Sequence, residues 1–346
     1  MPREAPGKRA LPSSFKAQKM MRRVVLALMP ALVGGVYFFG WRVLGVCVCV
    51  LVVGLGTEFG LARRRGDPLT ESAIVTCLLL ALSLPPTIPF WIAAVGAVVA
   101  LSFGKELFGG FGRNVFNPAI VGRAFLYVCF PEAMTKGFVP VYTGGLGGLR
   151  HWFPSNMDAV SAATPMWVLR DYGHETPFLR LLTGSIGGTF SGPDGTMEVL
   201  GAGSIGEVSA ILVAIGGIYL LLTKTAQWRL ALSSLVGAAA AAVFFRHVLG
   251  AQAVPPVHWV MCAGGMLYAC FFMVTDPVSA PNHKPTQFLY GAFIGVLIVF
   301  FRWKAAFAGG VGFAILMGNT VGPSLEIGLK AWEKKRKTAS KREARP

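Results

Sequence analysis

Residues 43–62 read VLGVCVCVLVVGLGTEFGLA, a run in which Glu58 is the single charged side chain. Its length and apolarity match the roughly 18 or more residues that cross the hydrocarbon core of a bilayer as a helix. The whole chain of 346 residues has the same character, because 54% of the residues are hydrophobic and only 14% are charged. Soluble domains carry about 25% charged residues. The composition therefore excludes a soluble multidomain enzyme, a disordered chain and a disulfide-rich secreted scaffold.

Further apolar segments of the same kind lie on both sides of this run. We predict an all-α polytopic membrane protein with ten spans at about 24–40, 43–62, 72–86, 89–104, 117–131, 206–223, 229–249, 258–275, 287–302 and 305–322. Five spans precede a polar, glycine-rich stretch at 131–205 and five follow it. Halves with an odd number of spans have opposite topology, as in inverted-repeat transporters. The predicted layout is a basic N-terminus (1–23), a first half (24–131), a loop (132–205), a second half (206–322) and a basic tail (323–346).

The positive charges are distributed unevenly along this layout. Lys and Arg number 32 and Asp and Glu 16, and 24 of the 32 basic residues fall on one side if the N-terminus is inside. Cytoplasmic segments of membrane proteins carry this excess of Lys and Arg. We therefore expect both termini in the cytoplasm and the long loop outside. The charges are not patterned as a nucleic-acid-binding face, so no nucleic-acid partner is expected.

Few acidic side chains lie in or beside the spans, and Glu58, Glu207, Asp276 and Glu326 are the ones that matter. An ionisable group in hydrocarbon costs at least about 2.5 kcal/mol, so each needs a partner or a water-filled path. Carboxylates bind Na⁺ or protons well, which makes Glu58, Asp276 and Glu326 candidates for a cation pathway. The alternative is a solvated acid at the membrane boundary. For Glu207 that alternative is favoured, because Ser204 three residues earlier gives the spacing of a helix capping box.

Two segments rich in Gly and Pro interrupt the apolar pattern at corresponding places in the halves. They read GGFGRNVFNP at 109–118 and TDPVSAP at 275–281. Broken helices leave backbone groups free to bind a ligand or cofactor; the alternative is two plain cytoplasmic turns. The first segment lacks the third glycine and the βαβ context of a dinucleotide fingerprint. The six cysteines include no CxxC pair, so no metal site is expected, and no catalytic constellation is evident.

The long loop contains DAVSAATP at 158–165. On the residues alone, Thr164 is the N-cap of a helix that has Pro165 at its first position. The other interpretation is a modification site, because the small residues before Thr164 leave its hydroxyl open to a transferase. A threonine hydroxyl is a poor nucleophile unaided, so another enzyme or a metal would have to activate it.

Several stretches occur together and in a specific order: ESAIVTCLLLALSLPPTIP, KELFGGFGRNVFNPAIVGRAF, DAVSAATP, GSIGEVS and FFMVTDPVSA. Over roughly residues 24–325, the chain resembles the family that holds the B subunit of the sodium-translocating NADH:quinone reductase and the D subunit of the Rnf ferredoxin:NAD oxidoreductase. Features of both branches are present, so donor, acceptor and the choice between Na⁺ and H⁺ stay open.

This resemblance implies a flavoprotein in which FMN is joined through its phosphate to a threonine, in a pattern usually written S-G-A-T. Thr164 falls at that threonine, and the tetrad that begins at Ser161 reads SAAT here. Asp158, at the start of the same stretch, is a further candidate for this site. Glu58 matches an acid that the family carries in its second span. Glu326 falls where the quinone-reductase branch has an aspartate.

The resemblance also implies the setting in which the chain works. It implies a bacterial inner-membrane protein that couples electron transfer to Na⁺ or H⁺ transport as one subunit of a complex and is not expected to be active alone. Its expected partners are other membrane and peripheral subunits, a flavin transferase and a non-covalent riboflavin, with quinone as a further candidate. The competing interpretations are a non-redox channel or solute carrier with an inverted-repeat fold and a purely structural membrane subunit.

Overall fold

The computed structural model describes residues 18–152, 163–192, 195, 197–305 and 310–343, and within these ranges the protein is mostly helical. The helices are α1 (Lys19–Phe39), α2 (Arg42–Arg65), α3 (Glu71–Leu82), α4 (Phe90–Gly104), α5 (Pro118–Cys129), α6 (Pro131–Thr135), α7 (Pro165–Tyr172), α8 (Phe178–Thr183), α9 (Ala210–Leu222), α10 (Trp228–Val243), α11 (Val257–Cys262), α12 (Met266–Tyr268), α13 (Lys284–Lys304) and α14 (Val311–Glu343). Strands β1 (Thr189–Ser191) and β2 (Met197–Val199) form an antiparallel pair. Turns of π-helix at Phe244–Val248 and Ala269–Met273 extend α10 and α12.

Five helical segments in the described ranges are long and apolar enough to cross a membrane: Lys19–Phe39, Arg42–Arg65, Phe90–Phe108, Trp228–Val248 and Lys284–Lys304. Three shorter apolar helices, α3, α5 and α9, accompany them. Each of the ten predicted segments contains helix. The structure supports a polytopic helical membrane protein, while the count of ten spans and the inverted halves stay predictions.

Glycines allow neighbouring helices to approach closely. A Cβ added to Gly237 of α10 would lie 2.4 Å from the carbonyl oxygen of Ala292 in α13, and one added to Gly295 would lie 2.1 Å from that of Ser234. Helices α4 and α5 meet in the same way at Gly122. Lipid gives no hydrophobic drive between helices, so close backbone packing at small residues has to hold them together.

The first predicted break lies between α4 and α5. Helix α4 ends at Gly104. Gly109, Gly110 and Gly112 then take positive φ angles of 98°, 91° and 88°, so the chain does not continue as a helix there. Asn117 then caps α5, its side-chain oxygen accepting a hydrogen bond of 3.1 Å from the backbone N–H of Ala119. The glycines turn the chain and the asparagine restarts the helix.

The second predicted break is a turn closed by Asp276. Its carboxylate accepts hydrogen bonds from the backbone N–H of Val278 at 3.2 Å and from the hydroxyl of Ser279 at 2.8 Å. The sequence predicts one unbroken span at 258–275, but the structure differs, because Gly264 and Gly265 take φ angles of 58° and 71°. Two consecutive left-handed residues cannot continue a right-handed helix, so α11 and α12 are separate.

The described part of the 131–205 stretch folds onto one end of the helices. It contributes α6, α7, α8 and the β1–β2 pair, and Ala163 forms a parallel bridge with Leu200 beside that pair. The indole N–H of Trp259 donates to the carbonyl of Thr176 at 3.1 Å, which fastens this layer to α11. The layer gives Thr164 a fixed backbone position.

Candidate functional site: two cavities at opposite ends of the helices

Thr164 is the residue just before α7, and Pro165 is the first residue of that helix, which confirms the local prediction. The backbone of Thr164 is extended, and its side chain makes no capping hydrogen bond. The adjacent Ala163 is held by its bridge to Leu200. The Thr164 backbone is therefore held in place, while the Thr164 hydroxyl makes no hydrogen bond to the N-terminus of α7.

Thr164 lines a cavity, here named the Thr164 cavity, of about 220 Å³. Small-molecule sites combine apolar walls with a few polar groups. This cavity has that character, and its lining includes Arg123, Tyr127, Phe138, Trp167, Glu207 and Gly264. The other predicted residues of this site, Asp158 and Ser161, lie outside the described residues.

A buried ion pair forms part of the wall of the Thr164 cavity. Arg123 Nη2 lies 3.6 Å from Glu207 Oε1, and the two side chains are 6% and 10% exposed. The same nitrogen donates to the hydroxyl oxygen of Ser204 at 3.3 Å. The guanidinium carbon lies 5.6 Å from the centre of the Tyr127 ring. Within the described part of the chain, the buried Nε of Arg123 has no hydrogen-bond partner.

The capping box predicted at Glu207 is wrong. Helix α9 begins at Ala210, and its N-cap is Ser209, whose hydroxyl oxygen accepts from the backbone N–H of Leu212 at 3.4 Å. Glu207 stands in the turn before the helix and faces Arg123. A charged partner in a buried setting binds a carboxylate more strongly than a helix-end amide does.

A second buried arginine lies beside this cavity. Arg302 of α13 is 3% exposed and donates to the carbonyl oxygens of Val260 at 3.2 Å, Ala263 at 3.0 Å and Gly264. These carbonyls end α11 and have no helical partner, so the guanidinium caps the broken helix. Arg302 is not among the site residues predicted from the sequence, although its position at the end of an apolar run signals a buried cation that needs acceptors.

The two predicted breaks meet in a second, smaller cavity, here named the break cavity, of about 60 Å³. Asn114 and Asn117 come from the first break, and Asp276 and Val278 come from the second. The structure thus brings together two segments about 160 residues apart in the chain. Among the three predicted pathway acids, Asp276 is the one that lines this cavity.

Glu58 is fully buried behind the wall of the break cavity and is completely partnered. Lys105 Nζ lies 2.9 Å from Glu58 Oε2, and the hydroxyl of Thr70 donates to Oε1 at 2.8 Å. Lys105 also donates to the hydroxyl oxygens of Thr70 and Ser72, each at 2.8 Å. A lysine ammonium therefore occupies the oxygen cluster around Glu58. Lys105 is not among the site residues predicted from the sequence, because it lies 47 positions from Glu58.

Glu326 lies on α14, next to the break cavity and beyond its lining. It accepts from the backbone N–H of Asn282 at 3.0 Å and from Lys330 Nζ at 2.5 Å. Partial burial raises the pKa of Glu326, but the hydrogen bonds from Lys330, Asn282 and His283 outweigh burial and leave the pKa below its ordinary value. Glu326 is therefore an ionised acid at the mouth of the second break.

The two cavities lie at opposite ends of the same helices. Pro118, at the start of α5, lines the break cavity, and Tyr127, near the end of α5, lines the Thr164 cavity. The segment from Gly264 through the π-helical turn at Ala269–Met273 touches both cavities. Gly264 borders the Thr164 cavity, and Phe272 borders the break cavity. Short, interrupted helices between opposed cavities are the architecture in which transporters place their binding sites.

Comparisons with known proteins agree with the resemblance read from the sequence. The profile of the NQR2, RnfD, RnfE family matches residues 10–331. The D subunit of the proton-translocating ferredoxin:NAD(+) oxidoreductase complex of Clostridium ljungdahlii is 35% identical over 318 residues, covering 89% of this chain and 88% of that protein. The D subunit of the ion-translocating oxidoreductase complex of Shewanella amazonensis is 32% identical, covering 90% of this chain and 92% of its own length.

Relatives from the other branch match at a comparable level. The B subunit of the Na(+)-translocating NADH-quinone reductase of Chromohalobacter salexigens is 34% identical over 298 residues, covering 85% of this chain and 65% of that protein. The matched region of the profile includes both cavities and both helix breaks. The chain therefore belongs to the NQR2, RnfD, RnfE family.

Proposed function

We propose that this chain is a membrane flavoprotein subunit of an ion-translocating oxidoreductase complex, with FMN esterified to Thr164 and electron flow coupled to the transport of Na⁺ or H⁺. The similar proteins of known name are subunits of such complexes, which supports membership of one. Other membrane and peripheral subunits and a flavin transferase are the partners that this function requires. A non-covalent riboflavin belongs to the same proposal, without residues assigned to it.

The observation that carries the flavin proposal is the Thr164 hydroxyl, which makes no capping hydrogen bond and lines a cavity with aromatic and charged side chains in its wall. The residues present fit the group. Tyr127, Phe138 and Trp167 offer aromatic surface for a flat ring, and Arg123 contributes a positive charge to the same wall. Bound FMN would supply one- and two-electron chemistry, while the protein supplies placement and the surrounding field. The phosphodiester on Thr164 would keep the cofactor from being lost.

The attachment is tested by in-gel fluorescence. The full chain is made in a host that contains the flavin transferase, separated on a denaturing gel and viewed under ultraviolet light. We expect a fluorescent band for the wild type and a dark band for Thr164→Ala. Thr135→Ala is the matched control, because Thr135 lines the same cavity but its hydroxyl donates to the carbonyl of Pro131 at 2.7 Å. Thr135→Ala should fluoresce like the wild type.

Two results would contradict this attachment. A dark wild-type band from a competent host would favour a non-redox carrier or a structural subunit. Fluorescence that survives Thr164→Ala would move the ester to another residue.

The cation route in this proposal enters the break cavity at Asp276. That carboxylate lies where both helix breaks meet, and broken helices expose the backbone groups that coordinate transported ions. Glu58 lies behind it as a second carboxylate, and a cation that reaches Glu58 has to displace the ammonium of Lys105. Glu326 stands at the mouth of the second break and attracts cations towards it.

The cation route is tested in the whole complex by measuring turnover and ion uptake into vesicles against Na⁺ concentration and pH. We expect Asp276→Asn and Glu58→Gln to weaken or abolish the cation dependence, and Glu326→Gln to weaken it less. Glu132→Gln is the matched control, because that carboxylate is 82% exposed and pairs with Lys136 at the surface. Unchanged cation dependence in Asp276→Asn would remove Asp276 from the route, and the same result in Glu58→Gln would remove Glu58.

A further inference from the structure

Among the described residues, the charges around the Thr164 cavity do not balance. Of its described lining residues, Arg123 and Glu207 are the charged ones, and they pair with each other. Arg302 lies just behind the wall, since a Cβ added to Gly264 would lie 3.4 Å from its Nη2. Glu207 lies against the same glycine pair, since a Cβ added to Gly265 would lie 1.6 Å from its Oε2. Two buried guanidinium groups and one carboxylate leave a net charge of one positive unit.

The hydrogen bonds around this cluster are also incomplete. The Nε atoms of both Arg123 and Arg302 are buried without a partner among the described residues. The other nitrogens of Arg302 donate hydrogen bonds to the carbonyls that end α11, so this side chain has a structural role. Arg123 faces the cavity itself. A buried charge without full compensation is costly, so a cavity built in this way favours a ligand that brings a negative charge.

We propose that Arg123 is a positioning residue that binds the negatively charged pyrimidine edge of the reduced flavin and raises its reduction potential. This inference rests on the proposed flavin attachment at Thr164. Uptake of two electrons and one proton by an isoalloxazine puts the proton on N5 and leaves a negative charge over N1 and the C2 carbonyl. The electrons come from a redox protein of the complex. The net positive charge of Arg123, Glu207 and Arg302 stabilises that state over the neutral oxidised ring.

The inference can be tested on the ion pair of Arg123 and Glu207, because each of the two charges can be neutralised separately. Arg123→Gln makes the three-residue cluster neutral, so the flavin should become harder to reduce. Glu207→Gln raises the net charge to two, so the flavin should become easier to reduce. Charge near the N1 edge is one of the properties by which proteins set flavin electronics. A general loosening of the site would move both variants in the same direction.

The measurement is a reductive titration of the full chain carrying covalent flavin, followed by the visible absorption of the ring, with dithionite as reductant and dyes as potential references. We expect each variant to change the preference for reduced over oxidised flavin at least tenfold, which is about 30 mV for a two-electron couple. Arg123→Lys keeps the charge but loses the planar donor, so its potential should fall between those of the wild type and Arg123→Gln. Gel fluorescence reports the flavin loading of each sample.

The outcomes separate this inference from the function on which it rests. Shifts of opposite sign in Arg123→Gln and Glu207→Gln support the inference. If gel fluorescence is retained but the potentials stay unchanged, the inference is overturned and the flavin attachment stays intact. The same holds if both variants shift the potential in one direction. A dark wild-type band overturns the attachment and this inference together. If Arg123→Gln does not fold, Arg123→Lys and Glu207→Gln still decide, because equal potentials in those two and the wild type refute the role.

Discussion

Lys105 Nζ lies 2.9 Å from Glu58 Oε2, and both side chains are 2% exposed. The pair joins the end of α4 to the middle of α2 and is completed by the hydroxyls of Thr70 and Ser72. Two charges buried in this way attract each other strongly, but each has lost its water. The pair is therefore most sensitive to the loss of one partner.

The first prediction concerns single and double neutralisation of this pair. Lys105→Met or Glu58→Gln alone should lower the free energy of unfolding by about 3–5 kcal/mol, because each leaves an uncompensated buried charge. The double variant should recover most of that loss. Unfolding of the purified chain in detergent micelles measures all three.

A surface pair provides the control for this cycle. Lys136 and Glu132 form an ion pair at 3.0 Å with side chains 59% and 82% exposed. Lys136→Met should change stability by no more than about 1 kcal/mol, since exposed pairs contribute little. A double variant of Lys105 and Glu58 as unstable as the sum of its single variants would contradict the prediction.

The second prediction concerns Gly264 and Gly265, the glycine pair that separates α11 from α12. A Cβ at Gly265 would lie 1.6 Å from Glu207 Oε2, and the residue has a φ of 71°. Gly265→Ala should therefore displace the carboxylate from Arg123 and destabilise the protein strongly. Gly173→Ala is the matched control, with a φ of 68° and no atom within 4 Å of its Cβ. The control should cost about 1–2 kcal/mol from backbone strain alone. Thermal unfolding that ranks the two variants equally would contradict the clash.

The third prediction concerns the seam between α10 and α13. Gly295→Ala places a Cβ 2.1 Å from the carbonyl oxygen of Ser234, so the helices have to separate. We expect a loss of about 1–3 kcal/mol, the usual cost of overpacking. Gly60→Ala in α2 is the control, because its Cβ meets no atom within 4 Å. Since alanine forms helices better than glycine by about 1 kcal/mol, Gly60→Ala should be neutral or stabilising. Equal stability of the two variants would exclude the seam as a close contact.

The fourth prediction concerns Arg302 as a helix cap. Arg302→Met should leave the carbonyls of Val260 and Ala263 buried without donors, at about 1–3 kcal/mol for each such group. Arg302→Lys keeps the charge but has no planar fork, so it should retain only part of the stability. Amide hydrogen exchange of α11 reports the effect locally, and unchanged protection in Arg302→Met would show that the carbonyls find other donors.

The features that could be predicted from the sequence are those governed by neighbouring residues. Gly and Pro placed both helix breaks correctly, and the Thr-Pro pair placed the start of α7 at Thr164. The apolar runs located helices because the bilayer imposes a minimum length on them. These rules are local, so a single chain is enough to apply them.

The features that could not be predicted depend on which helices meet. Arg123 and Glu207 are 84 positions apart, and Lys105 and Glu58 are 47 apart, so no local rule pairs them. The capping box at Glu207 was wrong for the same reason, since a distant arginine outcompetes the nearby backbone for the carboxylate. The break at Gly264 was missed because two glycines within an apolar run also suit a continuous membrane helix.

The broken segment that borders both cavities has an electrical consequence. Gly264 and Phe272 are eight residues apart, which is about 12 Å at the rise of a helix. The hydrocarbon core of a bilayer is about 30 Å thick. With water in both cavities, the membrane voltage would be concentrated across this short septum. A charge that moves past this one segment would therefore cross a large share of the transmembrane potential in a single short step.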